Sequence, residues 1–391
     1  MDYLRRTWAD VSLDNLSHNY EVLRRAVPSS CRFLGVVKAD AYGHGAVPVS
    51  RHLEELGAEY LAVSNMEEAI QLRRGDVNLP ILILGYTPAR YAEDMVRMGI
   101  IQEVHSLEYA RELNDLLSGT DQRLKVHLKL DTGMARLGFF CQDRQRVLEQ
   151  LLEITRMKHL EVEGMFTHFP VADSLDPEDV AFTRSQFETF RSFVDAMDNA
   201  GARPEICHCC NSGATILYPQ YAMDMIRPGI ATYGIAPSRS LEGRLDLRPL
   251  MTLRSSISQI RSYPAGVSVS YGRAYVTPSP RTLAVVCIGY ADGLSRRLSG
   301  HVSFLLHGIR VPVVGRICMD MCMIDVTDVP EAKVGDKVTI LGAGRDDVIS
   351  VCDLARQLNT IPYEILCDIN KRIPRIYLDG KKQTEILQYI V

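Results

Sequence analysis

The sequence predicts an α/β protein with two parts: an N-terminal (β/α)8 TIM-like barrel and a C-terminal β-rich domain. Over the first 240 residues, short apolar runs rich in β-branched residues alternate with helix-like stretches, as in sheets of buried parallel strands. Eight strand runs that alternate with helices favour a closed barrel, with an open doubly wound sheet as the alternative. The runs lie at 33–38, 60–65, 81–86, 101–106, 125–131, 162–168, 205–211 and 224–230.

The segments between these runs have the spacing of amphipathic helices. Residues 46–58 and 184–202 show it most clearly, and both segments end near a glycine, as helices often do. After residue 240, strand-like runs separated by Gly, Pro and Asp dominate until a helical stretch at 350–359. We therefore predict a barrel domain at 1–240 and a β-rich domain at 241–391, with residues 1–10 as a candidate for packing with the second domain.

The composition is that of an ordinary globular protein, with 46% hydrophobic residues, 24% charged residues and a net charge of -4. This charge balance gives no electrostatic support for nucleic-acid binding. The N-terminal segment is charged where a signal peptide is apolar, and no apolar run reaches the ~18 residues of a membrane span. We expect a cytoplasmic protein with no membrane partner.

The ten cysteines are expected to be reduced thiols in that compartment. The densest group, at 207–210, contains three of them and a histidine. Adjacent residues of a strand point to opposite faces, so these side chains cannot converge on one zinc ion. We expect no metal.

Polar residues cluster where the predicted strands end, which is the end at which barrel enzymes carry their active sites. Lys38 ends the first strand and His168 ends the sixth. Turns at 212–213 and 229–230 offer backbone N–H groups of the kind that bind phosphate. The candidates at this end are Lys38, Tyr42, Lys129, Asp131, Arg136, His168, Asn211, Ser212, Arg227, Gly229 and Ile230.

A lysine and a phosphate site at one end of a barrel point to pyridoxal phosphate. Burial lowers the pKa of a lysine and makes the amine nucleophilic towards an aldehyde. The cofactor then acts as an electron sink for the substrate. This chemistry explains why a lysine would stand at the end of a buried strand.

Each candidate also has an ordinary structural explanation. Lys38 can be a surface lysine with a buried stem, and His168 can be a structural histidine. Residues 211–213 are typical of a turn, and Arg136 can pair with Asp131. The functional interpretation depends on all of them falling at one predicted end of the barrel.

Nine sequence blocks, in order and over nearly the whole chain, resemble those of the bacterial alanine racemases, which are fold-type III pyridoxal phosphate enzymes. The resemblance implies a pyridoxal 5'-phosphate cofactor, alanine as substrate and D-alanine for peptidoglycan. It also implies a homodimer whose active sites borrow residues from the partner's β-rich domain. The blocks are VVKADAYGHGA, LKLDTGMARLGF, EGMFTHF, CNSGAT, IRPGIATYG, VSVSYGRAY, IGYADG, VGRICMDM and TIPYEILC.

The resemblance assigns two bases to opposite faces of the substrate. Lys38 would bind the cofactor covalently and act as one acid/base, and Tyr271 of the partner subunit would act as the other. A proton then leaves Cα on one face while another arrives on the opposite face, so the substrate need not rotate. Arg227 would keep the pyridine nitrogen unprotonated, and His168 would link Arg227 to the partner's Tyr271.

The resemblance also assigns binding roles. Arg136 would bind the substrate carboxylate, for which its planar fork is suited, together with the backbone N–H of the partner's Met319. Lys129 stands where many members carry a carbamate, and the alternative is an unmodified lysine paired with a carboxylate such as Asp131. The remaining cofactor residues are Tyr42, Asn211, Ser212, Gly229, Ile230 and Tyr363, and those at the entrance or substrate pocket are Tyr290, Asp320 and Tyr363.

Three other functions fit the sequence less well than alanine racemisation. A serine racemase of the same fold is disfavoured because its relatives usually carry a membrane domain and because Tyr363 would crowd a larger side chain. A decarboxylase of basic amino acids would borrow a cysteine where this chain has Tyr271. A non-catalytic pyridoxal phosphate-binding protein is typically a single barrel. One departure from the family is Asp40, where many members have asparagine.

Overall fold

The computed structural model describes residues 6–344 and 346–390. They form two compact units, which we call the barrel unit (16–41 and 46–248) and the β unit (the described residues of 1–15, 42–45 and 249–391). The division along the chain falls after Arg248, whereas the sequence places it after residue 240. Residues 1–5 of the predicted N-terminal segment lie outside the described residues.

Eight parallel strands form the barrel within the described residues, and the predicted barrel is confirmed. The first seven strands pair in order, and the eighth strand pairs with the first. Backbone hydrogen bonds from Asp224 N to Cys207 O (3.0 Å) and from Arg227 N to Cys210 O (2.8 Å) join the seventh strand to the eighth. The open doubly wound alternative is therefore wrong. The strands are Arg32–Val36, Tyr60–Val63, Ile81–Ile83, Ile100–Val104, Leu124–Asp131, Leu160–Phe166, Ile206–His208 and Met225–Ile226, with Phe139–Phe140 paired to the fifth.

The helices that alternate with these strands begin at residues with suitable side chains. The Asn65 side chain accepts a hydrogen bond from Glu68 N, and the Ser106 side chain accepts one from Tyr109 N, as helix N-caps do. The predicted helix at 184–202 begins earlier, because Asp176 caps it and Pro177 occupies its first turn. Among the described helices, none combines the length and apolar character needed to cross a membrane. The helices in this half of the chain are Leu13–Arg25, Ala46–Glu55, Met66–Arg74, Ala92–Arg97, Leu107–Leu116, Arg144–Ile154, Pro177–Asn199 and Ser212–Leu217.

The β unit is organised around one long strand, Met251–Tyr263. It pairs antiparallel with Thr7–Ser12, Arg281–Val286 and Lys337–Ala343, and Thr7–Ser12 pairs in parallel with Arg375–Asp379. The predicted helix near 350–359 is present. The other strands are Ser268–Val269, Tyr275–Val276, Ser303–Leu306, Ile309–Val314, Cys322–Asp325, Val348–Ile349 and Lys382–Leu387, and the helices are Val351–Leu358 and Pro362–Cys367.

Residues 42–45 belong to the β unit because its buried side chains bind their backbone. Arg375 is fully buried, and its guanidinium donates to the carbonyl oxygen of Gly43 at 3.0 Å and to three further carbonyl oxygens at 2.6–2.7 Å. Tyr377 Oη donates to His44 O at 2.7 Å. Gly43 has a φ of +80°, and a Cβ there would lie 2.1 Å from Leu366 O, so this position requires glycine.

Replacing Arg375 with methionine should destabilise the β unit strongly. Four carbonyl oxygens would lose their buried donor, and we expect the free energy of unfolding to fall by about 3 kcal/mol or more. Urea unfolding followed by circular dichroism measures this change. Lys381→Met, in an exposed turn, is the matched control, and an equally small effect of both substitutions would contradict the structural role of Arg375.

Candidate active site

Lys38 stands just after the first barrel strand, at the start of a turn with left-handed backbone. The strand ends at Val36, not at Lys38 as the sequence suggested. Ala39, Asp40 and Ala41 have φ values of 52°, 55° and 53°. Each L-residue in this conformation costs roughly 1–2 kcal/mol, so other contacts must stabilise the turn.

Two carboxylates supply those contacts. Glu68 Oε1 accepts a hydrogen bond from Ala39 N at 2.7 Å, while Glu68 Oε2 accepts one from Ser64 N at 2.7 Å. Asp40 Oδ1 accepts from Ala46 N at 2.9 Å. An asparagine could make the same bond with its amide oxygen, so this contact does not require a carboxylate. Glu68 was not predicted, because nothing in its local sequence distinguishes it from an exposed helical glutamate.

His168 lies among four cationic side chains at the carboxyl end of the barrel. Burial lowers the pKa of His168 well below its usual value, and the charges of Arg227, Arg136, Lys38 and Lys129 lower it further. These five residues are predicted site residues, and the structure brings them together. His168 is therefore neutral at neutral pH.

Burial lowers the pKa of Lys129 to about 8, and the charges of Arg136, Arg227 and Lys38 act in the same direction. The Lys129 ammonium lies 5.6 Å over the ring of Phe166. The carboxylate that opposes the shift is Glu103, which is fully buried and was not predicted.

Asp131, the partner that the sequence suggested for Lys129 or Arg136, has a structural role. Its Oδ1 accepts hydrogen bonds from Gly133 N and Ala135 N, each at 3.0 Å. These bonds shape the turn that follows the fifth barrel strand and carries Arg136.

Arg227, one of the four cations around His168, is buried, and hydrogen bonds fix its guanidinium. Its Nη1 donates to His208 Nδ1 at 2.8 Å, and its Nη2 donates to Thr167 O at 2.7 Å and to Cys209 O at 3.4 Å. Burial lowers its pKa to about 10, so the guanidinium stays charged at neutral pH. The sequence paired Arg227 with His168, whereas the histidine that accepts its hydrogen bond is His208.

The turns that follow the seventh and eighth strands meet at Ser212. Its Oγ accepts hydrogen bonds from Gly229 N at 2.8 Å and from Ala231 N at 3.3 Å. Asn211 caps the following helix through a bond from Ala214 N at 3.0 Å and donates to Phe169 O at 2.9 Å. A hydroxyl and adjacent backbone N–H groups therefore occupy the place predicted for a phosphate, and Ile230 follows directly in the sequence.

In the β unit, three predicted residues lie on neighbouring turns with exposed side chains. Tyr271, Met319 and Tyr290 are 68%, 53% and 42% exposed. Tyr290 N bonds to Cys318 O at 3.0 Å, which joins two of these turns. Ser270 Oγ donates to Arg316 O at 2.7 Å, which joins the turn of Tyr271 to the same segment.

A buried carboxylate, that of Asp292, holds the segment that carries Met319. Asp292 is fully buried and accepts hydrogen bonds from Arg372 Nε at 2.8 Å and from Arg6 at 3.0 and 3.1 Å. Arg372 Nη2 also donates to Asp320 Oδ1 at 2.5 Å. Asp320 is thus held beside Met319.

Tyr42 and Tyr363, the two tyrosines predicted to bind phosphate, are neighbours within the β unit. Their ring centroids lie 5.8 Å apart with an interplanar angle of 55°. This tilted arrangement is one that aromatic pairs prefer.

Cationic side chains at the carboxyl ends of eight parallel strands suit the binding of an anionic cofactor or substrate. The fold and the site together are those of a (β/α)8-barrel enzyme. Comparison with known proteins narrows this class: residues 11–237 match the family model "Alanine racemase, N-terminal domain", and residues 250–377 match "Alanine racemase, C-terminal domain". The chain belongs to the alanine racemase family.

Individual relatives match over their full length. Alanine racemase 2 of Caldanaerobacter subterraneus subsp. tengcongensis is 40% identical over 389 residues, which cover 100% of this chain and 99% of that protein. The solved structure of an alanine racemase from Clostridium difficile 630 is similar with a TM-score of 0.94, 38% identity and 100% coverage of both chains. A Bacillus anthracis alanine racemase with bound L-Ala-P gives a TM-score of 0.93 at 34% identity, with 100% and 99% coverage. The resemblance seen in the sequence is confirmed.

Replacing Lys129 with methionine should remove a charge whose burial costs folding free energy. The pKa in the folded state, about 8, lies below the ordinary value of 10.5, so the unfolded state binds more protons in this window. The stability contributed by Lys129 therefore rises between pH 8 and pH 10.5 and is lowest below pH 8. The native protein should show this rise relative to the variant, with a total amplitude of up to about 3 kcal/mol.

Urea unfolding of both proteins at several values from pH 7 to pH 10 measures the difference. Lys158→Met, at an exposed position of the same unit, is the control for loss of a solvated lysine. A stability difference between native protein and Lys129→Met that stays constant over this range would contradict the assignment.

Proposed function

We propose that this chain is an alanine racemase that interconverts L-alanine and D-alanine with pyridoxal 5'-phosphate bound at Lys38. The cation cluster around His168 carries the proposal, in a chain that alanine racemases match from end to end. The D-alanine product supplies peptidoglycan. The cytoplasmic location stays a prediction.

The residues present fit this cofactor chemically. A site with four cations favours the phosphate of the cofactor and the carboxylate of the substrate. Ser212 and the backbone N–H groups of Gly229 and Ile230 would be the donors for the phosphate, with Gly229 N–H exchanging its bond to Ser212 Oγ for one to the phosphate. Asn211 holds the turn that carries Ser212. When bound, pyridoxal phosphate stabilises negative charge at the substrate Cα. The phosphate roles of Tyr42 and Tyr363 stay predictions.

Arg227 sets the charge of the pyridine ring in this proposal. A guanidinium can only donate hydrogen bonds, so a ring nitrogen that faces it must be an unprotonated acceptor. The bonds to His208 and Thr167 prevent the guanidinium from turning away. Arg227 would therefore keep a bound pyridine ring from being protonated at its nitrogen, which would disfavour side reactions.

Two bases move the proton. Lys38 serves one face of the substrate and Tyr271 of the partner subunit serves the other, so that a proton removed on one side is replaced on the opposite side. His168 is neutral and stands beside Arg227 as the link towards the tyrosine. Inversion at Cα follows from this placement without rotation of the substrate.

In this proposal, residues of both subunits bind the substrate. Arg136 binds the carboxylate, and the backbone N–H of the partner's Met319 shares it. Lys129 lies near Arg136. If Lys129 carries a carbamate, as the resemblance implies, that anionic group would orient the Arg136 guanidinium. Arg372 and Asp292 hold Asp320 and so fix the segment that presents Met319 and Tyr290.

The surface of the β unit supports a homodimer. Tyr271, Tyr290, Met319 and Met321 are exposed large side chains on turns that are joined by hydrogen bonds. Contiguous apolar surface of this kind commonly marks an interface between proteins. In the proposed dimer, this surface carries Tyr271 to the active site of the partner.

The first test is the attachment of the cofactor. The purified protein should be yellow, and borohydride reduction followed by peptide mass mapping should find the cofactor fixed on Lys38. Lys38→Ala should remain colourless after reduction and washing, while Lys158→Met should behave as the native protein. A native protein that takes up no pyridoxal phosphate would exclude the proposed function.

Replacing Tyr271 with phenylalanine tests the second base. Racemisation should fall by about 10²–10⁴-fold, the usual contribution of a positioned acid or base. Exchange of the Cα proton with deuterated water should persist for one enantiomer, because Lys38 still serves its face. Racemisation of both enantiomers at the native rate would refute the two-base assignment.

Mixed dimers provide the control for a shared site. Lys38→Ala and Tyr271→Phe are each nearly inactive, but a dimer with one subunit of each contains one site with both bases. Mixing the subunits under exchanging conditions should therefore restore activity. Failure to restore activity in verified mixed dimers would place Tyr271 in the site of its own subunit.

A further inference from the structure

A chain of hydrogen bonds runs from Arg227 through the barrel interior to Lys125. Arg227 Nη1 bonds to His208 Nδ1 at 2.8 Å, and His208 Nε2 bonds to His127 Nδ1 at 2.9 Å. His127 Nε2 bonds to Glu163 Oε2 at 3.3 Å. Glu163 Oε1 accepts from Lys125 Nζ at 2.6 Å. Both histidines are fully buried, and Glu163 is 9% exposed.

The groups at the two ends of this series of hydrogen bonds allow only one order of donors and acceptors. Arg227 can only donate, so His208 Nδ1 must carry a lone pair and His208 Nε2 must carry the proton. His208 then donates to His127 Nδ1, and His127 Nε2–H donates to Glu163. An ionised carboxylate can only accept, so the far end requires the same order of protons as the near end.

The protonation states agree with this order. Burial lowers the pKa of His208 well below its usual value and also lowers the pKa of His127, so both rings are neutral. Burial alone would raise the pKa of Glu163, but the hydrogen bonds from His127 and Lys125 outweigh it and lower the pKa to about 2. Glu163 is therefore an ionised acceptor.

The strand that carries Glu163 also leaves space for the ring of His127. A Cβ at Gly164 would lie 2.5 Å from Cε1 and Nδ1 of His127, so any larger residue would displace the ring. Phe166, on the same strand, stacks on His208 with ring centroids 5.0 Å apart and an interplanar angle of 7°. The two imidazoles are thus held in place by packing as well as by hydrogen bonds.

We propose that His127 and Glu163 are positioning residues for the racemase reaction, which keep His208 in the Nε2-protonated tautomer so that its Nδ1 accepts from Arg227. The inference rests on the proposed function of Arg227. If His127 reversed its tautomer, His208 Nε2 would become the acceptor and His208 Nδ1–H would face the guanidinium. Two donors would then oppose each other, and Arg227 would lose the hydrogen bond that holds its Nη1.

The test compares Glu163→Leu with Lys125→Met in the full-length protein. Glu163→Leu removes the terminal acceptor. Lys125→Met removes the ion pair but leaves the carboxylate that accepts from His127, and Lys125 is half exposed. Long-range ¹H–¹⁵N spectra of histidine-labelled protein, recorded with and without the cofactor, distinguish protonated from unprotonated ring nitrogens.

In the native protein and in Lys125→Met, His208 should be protonated at Nε2 alone. In Glu163→Leu, protonation at Nδ1 should appear, and kcat for alanine should fall about tenfold or more, as expected for loss of a hydrogen bond to a charged group. The KM should change little, because Arg227 does not bind the substrate carboxylate. Lys125→Met should keep a kcat within about twofold of the native value, as for a partly exposed ion pair.

Three results would overturn the inference. One is a native His208 protonated at Nδ1, which needs no variant to detect. Another is a Glu163→Leu protein that keeps both the tautomer and the native kcat. A third is an equal loss of kcat in both variants, which would assign the effect to the ion pair. A native protein that racemises no alanine would remove the proposed function, while the histidine spectra would still decide whether the tautomer is fixed.

Discussion

Repulsion among like charges at the carboxyl end of the barrel constrains the rest of the site. Burial lowers the pKa of His168, and the charges of Arg227, Arg136, Lys38 and Lys129 lower it further, so the ring stays neutral. Burial and its cationic neighbours lower the pKa of Lys129 to about 8, because both disfavour its charged form. An anionic cofactor and an anionic substrate would relieve this repulsion, so the same charges that cost folding free energy supply the binding of anions.

Within residues 6–344 and 346–390, the buried guanidinium of Arg227 is stabilised without a hydrogen bond to a carboxylate. Its hydrogen bonds go to a neutral imidazole and to two carbonyl oxygens. A carboxylate beside Arg227 would neutralise it and weaken its effect on a facing ring nitrogen. Glu163 stands two histidines away, where it orders the protons of the chain and leaves the charge of the guanidinium directed at the site.

The turn after Lys38 is strained, and other contacts offset the free energy of that strain. Successive residues with positive φ are strained for L-amino acids, and the hydrogen bonds that Glu68 and Asp40 accept hold them there. Lys38 therefore begins a turn whose backbone has little freedom. A reactive amine on a rigid turn suits a reaction that needs its proton delivered to one face.

Much of this protein could be predicted from local sequence. The alternation of β-branched runs and amphipathic segments predicted all eight barrel strands and the β-rich second part, because strand and helix periodicities are properties of a few neighbouring residues. Because Lys38, His168 and Arg227 lie at the ends of predicted parallel strands, the sequence also predicted that they share one end of the barrel. The order of the sequence blocks identified the family.

Other features were decided by the tertiary structure alone. Glu103, His127, Glu163 and His208 carry no local signal, since a polar residue in a strand points inward or outward only once the barrel has closed. Glu68 lies on a helix, where nothing local distinguishes it from an exposed glutamate. The hydrogen bond between His127 and His208 joins residues 81 positions apart. Residues 42–45 likewise join the β unit through Arg375 and Tyr377, over 300 positions later. Sequence determined the elements and the chemistry at their ends, whereas closure of the chain decided which buried charges meet, because those contacts depend on distance in space.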